Sequence, residues 1–275
     1  MRIIILGPTG MLGSAASRFF RDHYDVELFS SRYSLQTRRE FLRQLTETIG
    51  RTSSKVTIIN AIGSIPQRKS NDSAYVVVNA LLPHDLAQLA NSNVRLIQPS
   101  TDCIFSGSSK SGYFRTDDAD TDDCYGLSRY MSELFVQSNR HCVIVRTSII
   151  GPDCRSSGQG FMGWILSRRP GEVVNGYENH WWNGITTLRW CEYVHSTVIP
   201  SNLSGVVSVR SSECVSKLQL ALMIRETWGL PIRVNPYVTA TSVNRCITDA
   251  EDLGNIRDQL EKIKIWTDQS LAFGV

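Results

Sequence analysis

Short apolar runs alternate with longer amphipathic stretches through the first half of the chain. The short runs are rich in β-branched residues and predict strands, whereas the longer stretches predict helices. Two runs, Ile3–Leu6 and Val56–Ile59, are almost continuously apolar, which is typical of parallel strands covered on both faces. The predicted strands are Arg2–Leu6, Val26–Phe29, Val56–Asn60, Val94–Gln98 and Cys142–Arg146. The pattern predicts an α/β fold with a Rossmann-type, doubly wound parallel sheet.

Three amphipathic stretches lie between or after these strands. They predict helices at Met11–Arg21, at Ala74–Ala90 and from Tyr125 to Ser138, and Pro83 should kink or divide the second one. After Arg146 the pattern loosens into segments rich in Gly, Ser, Pro and Trp. We therefore predict a nucleotide-binding domain over residues 1–150 and a smaller substrate-binding lobe over residues 151–275. The two units should be interleaved and share elements near residue 150, so no sharp boundary is expected.

Composition narrows the classes of function. Of the 275 residues, 41% are hydrophobic. The chain contains 29 Lys and Arg and 26 Asp and Glu, which gives a formal net charge of +3. This weak, scattered charge argues against a nucleic-acid partner but allows an anionic small substrate. No apolar segment is long enough to span a membrane, and the initiator Met leads straight into a strand. A cytoplasmic enzyme without a membrane partner is expected.

The cysteines and histidines indicate neither a disulfide framework nor a metal site. The cysteine count is odd and forms no CxxC pair, so we interpret all of the cysteines as reduced and structural. The seven are Cys103, Cys124, Cys142, Cys154, Cys191, Cys214 and Cys246. The five histidines lack the spacing of metal ligands, so no metal is predicted.

A glycine-rich loop follows the first strand at once and opens a helix. In it, Gly7 permits a tight turn, Gly10 lets the backbone approach a pyrophosphate, and Gly13 allows close packing of helix on strand. The helix N-terminus offers free N–H groups to phosphates. An ordinary turn between strand and helix is the alternative. The cofactor contacts predicted here are Gly7, Thr9, Gly10, Met11, Leu12 and Gly13.

The end of the second strand indicates which dinucleotide binds. An NAD site usually places a carboxylate there for the ribose 2′-hydroxyl, but this chain has Ser30, Ser31 and Arg32. A hydroxyl beside a planar guanidinium suits a 2′-phosphate. We therefore predict NADP(H) in preference to NAD(H), with Ser30 and Arg32 as contacts. In the alternative interpretation Arg32 is a solvated surface residue.

Candidate catalytic residues follow the fourth strand. Thr101 stands at its carboxyl end, where open α/β sheets collect ligands. Tyr125 and Arg129 are four residues apart and share one helical face. A phenol has a pKa near 10, and a neighbouring cation can lower the pKa so that the phenol acts as a proton donor. Arg129 carries such a charge.

The motifs together resemble the extended short-chain dehydrogenase/reductase family, in its dTDP-4-dehydrorhamnose reductase branch. Thr101 and Tyr125 are 24 residues apart, as the corresponding residues are in that branch. The resemblance extends over nearly the whole chain. It is carried by Gly7–Gly13, Ile59–Ala61, Asn79–Ala80, Ser100–Gly107, Tyr125–Arg129, Glu133, Val145–Ser148 and, less specifically, Asn183–Thr187.

The resemblance implies reduction of the C4 carbonyl of a nucleoside-diphosphate sugar. A nicotinamide would supply the hydride, Tyr125 the proton, and Thr101 a hydrogen bond that polarises the carbonyl. The chain departs from the family pattern at Arg129, where the family has the lysine of its YxxxK motif. Three hypotheses stay open: a reductase of a 4-keto-6-deoxy sugar, a non-catalytic NADP-binding regulatory subunit, or an epimerase or dehydratase with bound NAD.

Further residues complete the predicted site. Those assigned to the cofactor are Asn60, Ala61, Ile62, Gly63, Asn79 and Pro99, together with Tyr125 and Arg129. Those assigned to the substrate are Asp102, Phe105, Trp182, Asn183 and Arg245, and the resemblance places the arginine at the diphosphate. Each has a structural alternative: a turn for the aspartate, a core or dimer contact for the tryptophan, a surface salt bridge for the arginine. A homodimer is also predicted.

Overall fold

The computed structural model describes residues 1–66, 72–152 and 160–273, and side chains as far as residue 269. The described residues form fourteen strands and nine α-helices. The strands are β1 (Arg2–Leu6), β2 (Asp25–Phe29), β3 (Val56–Asn60), β4 (Val94–Ser100), β5 (Cys142–Arg146), β6 (Ile149–Ile150), β7 (Val173–Tyr177), β8 (His180–Trp182), β9 (Ile185–Thr186), β10 (Gly205–Arg210), β11 (Val215–Ser216), β12 (Arg233–Tyr237), β13 (Val243–Asn244) and β14 (Glu251–Asp252). The helices are α1 (Met11–Arg21), α2 (Arg38–Gly50), α3 (Asp72–Tyr75), α4 (Leu82–Leu89), α5 (Cys124–Val136), α6 (Gly160–Leu166), α7 (Thr187–Tyr193), α8 (Lys217–Trp228) and α9 (Ile256–Phe273).

A seven-stranded parallel sheet runs through the molecule in the order β2-β1-β3-β4-β5-β10-β14. The chain passes from β1 outward to β2 and then returns to β3 on the other side of β1. This reversal makes the carboxyl ends of β1 and β3 the switch point where ligands bind in such sheets. The predicted Rossmann-type α/β fold is confirmed.

The apolar run of β1 shows why these strands are buried on both faces. Ile3 and Ile5 pack into a core with α1 and α7, whereas Ile4 and Leu6 pack into a second core with α2 and α4. Alternate side chains of a strand point to opposite faces, so helices on both sides require apolar residues at every position. The near-continuous hydrophobic pattern follows from this double covering.

The predicted helix around Pro83 is divided, as expected. It consists of α3, a π-helical segment at Val76–Leu81, and α4, in which Pro83 occupies the first turn. The N–H of Leu82 donates to the carbonyl of Val77, five residues earlier. Because proline has no N–H to donate, the wider π turn ends and a new α-helix begins just before it.

The second half of the chain builds a smaller lobe and also completes the large sheet. Short strands pair as β6 with β9, β7 with β12, and β8 with β11 and β13. Their apolar side chains pack with α6, α8 and α9 in a third core, which includes Met162, Leu220 and Leu260. Strands β10 and β14 lie in the large sheet although they follow residue 150, so both halves of the chain contribute to the nucleotide-binding core. The boundary at residue 150 stays a prediction.

The cysteine prediction is wrong for two residues. Cys214 and Cys246 form a disulfide with their Cα atoms 6.1 Å apart. The pairing joins the segment before β11 to the loop after β13, and the two cysteines are 32 residues apart in the sequence, so only the tertiary fold brings them together. Cys103, Cys124, Cys142 and Cys191 are free thiols, and Cys154 lies outside the described residues.

No helix in the described ranges is both long enough and apolar enough to cross a membrane.

Candidate active site

A cavity of about 440 Å³ lies between the carboxyl ends of the large sheet and the smaller lobe. Asn60 at the end of β3, Ser100 at the end of β4 and Thr147 after β5 line its sheet side. Phe161 and Trp182 line the lobe side. The volume is within the range of small-molecule sites, and the location coincides with the switch point of the sheet.

The glycine-rich loop after β1 borders this cavity through Gly10, Met11 and Leu12. Gly7 has a φ of 70°, and a Cβ there would lie 2.8 Å from Cγ1 of Ile62. A Cβ on Gly13 would overlap the carbonyl oxygen of Gly7. Among the described residues no side chain caps the N-terminus of α1, which leaves its first N–H groups available to a phosphate. The loop thus has the form of a diphosphate cradle, and Gly7, Thr9 and Gly13 shape it without lining the cavity.

The segment after β3 forms the next wall of the cavity. Asn60, Ala61, Ile62 and Gly63 all line it. The side chain of Asn60 donates to Gln98 Oε1 at 2.8 Å and accepts the N–H of Ile62 at 3.2 Å. The direction of this backbone is therefore fixed along the cavity.

Asn79 was predicted as a cofactor contact, but it is fully buried and lies outside the cavity lining. Its side chain accepts the Ser64 N–H at 2.9 Å, donates to the Ser64 carbonyl at 3.0 Å, and donates to the Ser128 hydroxyl at 3.2 Å. Asn79 therefore ties the wall after β3 to helix α5, so it positions the site instead of facing it.

Thr101 stands directly after β4 with its side chain held in place. Its hydroxyl accepts the Cys103 N–H at 3.1 Å and donates to Asp102 Oδ1 at 3.1 Å. Thr101, Asp102 and Pro99 all line the cavity. A fixed hydroxyl at the end of the central strand can hydrogen-bond an oxygen atom of a bound molecule.

Tyr125 enters the cavity from the first turn of α5, where Asp123 caps the helix by accepting the Gly126 N–H at 2.7 Å. Arg129 lies one turn further, with its Cζ 5.5 Å from the centre of the tyrosine ring. Burial raises the pKa of Tyr125 above its ordinary value, although the charge of Arg129 and the Thr101 hydroxyl act in the opposite direction. The phenol is therefore protonated at neutral pH and able to donate.

Arg129 is accommodated by a glycine on the facing wall. A Cβ on Gly63 would approach Nη2 of Arg129 to 2.5 Å, so a larger residue there would require the guanidinium to shift from this position. Among the described residues, the buried Nε of Arg129 has no hydrogen-bond partner. A buried donor of this kind is satisfied by a bound molecule or by water. The arginine thus fits the cofactor side of the cavity.

Two predicted substrate contacts lie away from the cavity lining. Phe105 is fully buried and stacks on Tyr113, with the ring centres 4.3 Å apart. The side chain of Asn183 donates to the Ile247 carbonyl at 3.0 Å and accepts its N–H at 3.2 Å. Both residues therefore pack beneath the site and hold its loops. Trp182 and Arg245 do line the cavity, as does Trp181.

Ser30 and Arg32 follow β2, beside the glycine-rich loop but outside the cavity lining. Both side chains are exposed, and within the described ranges Arg32 forms no ion pair. The nearby Arg38 is engaged differently, because its guanidinium binds Asp85 with two hydrogen bonds of 2.7 Å. Of these two arginines after β2, Arg32 is thus the one whose guanidinium remains available to a ligand.

Sequence reasoning missed Lys217, which lines the lobe side of the cavity. It occupies the first position of α8, after the capping box formed by Ser216 and Gln219. That box was visible in the sequence as Ser-x-x-Gln before an apolar run, and it would have located the helix start. The sequence alone contains no signal that the side chain of Lys217 points into the cavity.

Within the described ranges no three His, Cys, Asp or Glu side chains converge in a way that would hold a metal ion. Asp102 is the carboxylate among the described residues that line the cavity, and His180 is the imidazole. The imidazole Nε2 lies 2.8 Å from the Thr239 hydroxyl, its hydrogen-bond partner.

Comparison with solved structures supports the fold. The chain is similar to dTDP-4-dehydrorhamnose reductase from Bacillus anthracis in complex with NADP, with 23% identity, a TM-score of 0.79, and coverage of 97% of this chain and 99% of that one. It is similar to dTDP-4-dehydrorhamnose reductase from Yersinia enterocolitica, with 18% identity, a TM-score of 0.74, and coverage of 95% and 98%. A third match is dTDP-glucose 4,6-dehydratase from Bacillus anthracis in complex with NAD, with 13% identity, a TM-score of 0.74, and coverage of 98% and 97%.

The family assignment comes from the sequence itself. No curated protein sequence matches the chain significantly. The family model described as the RmlD substrate binding domain matches residues 1–246, which is most of the chain. This match agrees with the resemblance carried by the glycine-rich loop, Thr101 and Tyr125. The chain therefore belongs to the RmlD substrate binding domain family, within the extended short-chain dehydrogenases/reductases.

Proposed function

We propose that the protein is an NADPH-dependent reductase of a nucleoside-diphosphate 4-keto-6-deoxy sugar. The observation that carries the proposal is that one cavity is lined both by the glycine-rich loop and by Thr101, Tyr125 and Arg129. A phosphate cradle beside a positioned hydroxyl and a protonated phenol provides what reduction of a carbonyl by a dinucleotide requires. The family supports a nucleotide-sugar reductase.

The residues at the sheet edge would hold the cofactor. When bound, NADPH supplies the hydride. The N–H groups at the start of α1 would bind its diphosphate, and Asn60–Gly63 would form the neighbouring wall of the cofactor site. Ser30 and Arg32 would hold the 2′-phosphate through a hydroxyl and a guanidinium. The NADP in the similar Bacillus anthracis reductase supports this choice of cofactor.

Thr101 and Tyr125 act on the carbonyl oxygen of the sugar. Without a substrate, the Thr101 hydroxyl accepts the Cys103 N–H and donates its proton to Asp102. When the sugar binds, this proton turns from Asp102 to the carbonyl oxygen and polarises the carbonyl. The Tyr125 phenol donates its proton to the same oxygen as negative charge develops there. The tyrosinate that remains is stabilised by the positive charge of Arg129.

The lobe side of the cavity receives the nucleotide sugar. Trp182 offers an aromatic face on which a sugar or base ring can stack. Asp102 lies beside the catalytic threonine and accepts hydrogen bonds from sugar hydroxyls. Arg245 also lines this end and carries a positive charge that favours an anionic substrate.

A non-catalytic NADP-binding subunit is the second candidate. It is favoured by Arg129, which replaces the lysine of the family pattern with a longer, planar cation. An epimerase or dehydratase with bound NAD is the third, and it is favoured by the structural match to a dehydratase that holds NAD. The three candidates differ in whether NADPH is consumed and in whether a cofactor survives purification.

The proposal predicts net oxidation of NADPH when a suitable sugar is offered. The absorbance of NADPH is followed while the wild type receives dTDP-, UDP-, GDP- and CDP-linked 4-keto-6-deoxy sugars in turn. Arg129→Lys, which restores the family pattern, is assayed in parallel as the matched variant. We expect turnover in both proteins with at least one sugar.

The other outcomes separate the alternatives. Tight binding of NADPH without turnover in either protein would contradict the reductase and support the regulatory subunit. Turnover in Arg129→Lys alone would show that Arg129 blocks the chemistry in the natural chain. Conversion of a sugar without net consumption of NADPH, by protein that retains NAD through purification, would support the epimerase or dehydratase.

We also propose a homodimer formed through the outer face of α5. Leu127, Met131, Leu134 and Phe135 are each between 37% and 45% exposed, and their spacing places them on one face of this helix. Val76, on the adjacent helical segment, is also exposed. A contiguous apolar surface of this kind is typical of an interface. Light scattering should give the mass of a dimer for the wild type and of a monomer for Leu134→Lys, and a monomeric wild type at micromolar concentration would contradict the proposal.

A further inference from the structure

Lys217 is a cation that the fold places at the cavity without a hydrogen-bond or salt-bridge partner among the described residues. Within the described ranges its ammonium has no ion pair and no hydrogen bond, and its Nζ lies 4.8 Å from the ring centre of Phe161 and 5.0 Å from that of Trp182. It also occupies the first position of α8, where the helix dipole disfavours a positive charge. Two aromatic rings and the charge of Asp102 therefore favour the ammonium, but no hydrogen-bond acceptor among the described residues satisfies its three donors.

Arg245, the neighbouring cation, is already engaged by the protein. Its Nε donates to the Phe105 carbonyl at 2.8 Å, its Nη2 to the Ser106 carbonyl at 3.3 Å, and its Nη1 to Cys103 Sγ at 3.6 Å. All three guanidinium nitrogens of Arg245 thus donate a hydrogen bond that holds the loop after Thr101. The arginine contributes charge to this end of the cavity, but the ammonium of Lys217 is the freer donor.

The geometry points to Lys217 as the residue that binds the diphosphate of the nucleotide sugar, with Arg245 holding the adjacent loop. This inference rests on the proposed function, because the diphosphate is the only anionic part that every substrate of the proposed class carries. The two aromatic rings beside Nζ restrict the ammonium to the cavity. An unpaired ammonium with three donors can bind two phosphate oxygens at once.

The ionisation of Lys217 should give the binding of a diphosphate a characteristic pH dependence. Burial lowers the pKa of Lys217 to about 8, and the charge of Asp102 acts in the opposite direction. The other titratable groups that face it are Cys103, Arg245 and His180. Burial raises the pKa of Cys103 to about 12, and burial lowers the pKa of His180 below its ordinary value. Between about pH 7 and pH 9 the thiol and the imidazole stay neutral and the guanidinium stays charged, so Lys217 is the group that titrates.

The test measures binding of dTDP, UDP, GDP and CDP by titration calorimetry, in the presence of saturating NADP⁺. We expect at least one to bind, with an affinity that falls by about tenfold for each pH unit above 8. Lys217→Met should weaken this affinity by about 10-fold to 100-fold at neutral pH and abolish its pH dependence. Lys217→Arg should retain the affinity and keep it constant to higher pH, because a guanidinium does not titrate there.

Two controls make the result specific. Lys55→Met removes an exposed lysine at the amino end of β3, at the opposite edge of the sheet, and should leave binding unchanged. The corresponding nucleosides lack phosphates, and their affinity should be equal in the wild type and in Lys217→Met. If Lys217→Met binds the nucleoside diphosphates as the wild type does, or if it weakens nucleosides equally, the inference is overturned. The absence of any nucleoside diphosphate binding in the wild type overturns it as well.

This inference and the reductase proposal can fail separately. Reduction of a sugar by Lys217→Met with an unchanged KM would overturn the role of Lys217 and leave the reductase standing. Nucleoside diphosphate binding that depends on Lys217, in a protein that oxidises no NADPH, would support the role of Lys217 and contradict the reductase.

Discussion

Replacing Tyr125 with phenylalanine is expected to lower kcat for NADPH-dependent reduction by about 100-fold to 10,000-fold, the range of a lost general acid. The substitution removes the hydroxyl and keeps the ring, which packs edge to face on Tyr75 with the ring centres 5.9 Å apart. Because the phenol donates its proton only as charge develops on the carbonyl oxygen, the binding of NADPH and of the sugar should change little. The loss should therefore appear in kcat and not in KM.

Tyr130→Phe is the matched control for this loss. Tyr130 lies on the same helix as Tyr125 but outside the cavity lining, and it packs against a small core around Phe105. The same hydroxyl is removed from the same kind of side chain, so any general effect on α5 would appear in both variants. Equal activities of the two variants would contradict the assignment of Tyr125 as the proton donor.

The first half of the fold could be predicted because its signals are local. Helix α1 has the predicted bounds, since an apolar strand, three glycines and an amphipathic stretch follow one another directly. The second half offered no such signal. Strand β8 is three residues long and pairs with β11 and β13, which lie far away in the sequence. Strands this short have no detectable period, so only the tertiary fold defines them.

The candidate site was predictable to the extent that a motif fixes the direction of a side chain. Thr101, Tyr125 and Arg129 belong to elements of known geometry, and all three line the cavity. Phe105 and Asn183 were chosen by residue type and by position in a motif, neither of which distinguishes a ligand contact from a residue of the layer beneath. In the structure Phe105 is buried and stacks on Tyr113, below the residues that line the cavity.

The second large effect is expected in stability, at the ion pair that holds α5 against β5. Arg146 donates to the Glu133 carboxylate through Nε at 3.0 Å and through Nη2 at 2.6 Å, and it donates to the Arg115 carbonyl at 2.7 Å. The side chains of the pair are 8% and 2% exposed. Arg146→Met leaves the carboxylate buried without its partner, which should lower the free energy of unfolding by about 3–5 kcal/mol.

Urea unfolding would measure the free energy of unfolding of Arg146→Met and of three further variants. Glu133→Leu alone should cost a similar amount, because it leaves the guanidinium buried and unpaired. The double variant should cost far less than the two single variants together, since both charges are then absent and apolar groups fill the space. Arg43→Met is the exposed control: Arg43 and Glu40 are paired at 2.6 Å with both side chains more than half exposed, so its effect on the free energy of unfolding should be small beside that of Arg146→Met.

The outcome bears on the site because α5 carries both Tyr125 and Arg129. The ion pair sits one turn beyond Arg129 and joins this helix to the end of β5, next to the strand that leads to Thr101. If burial makes the pair costly to break, the orientation of the phenol toward the threonine hydroxyl is fixed by the same contact that stabilises the fold. Costs of Arg146→Met and Arg43→Met that are equal within error would show that the pair is as weak as a surface one. Helix α5 would then have to be positioned by its apolar packing and by the hydrogen bond from Asn79 to Ser128.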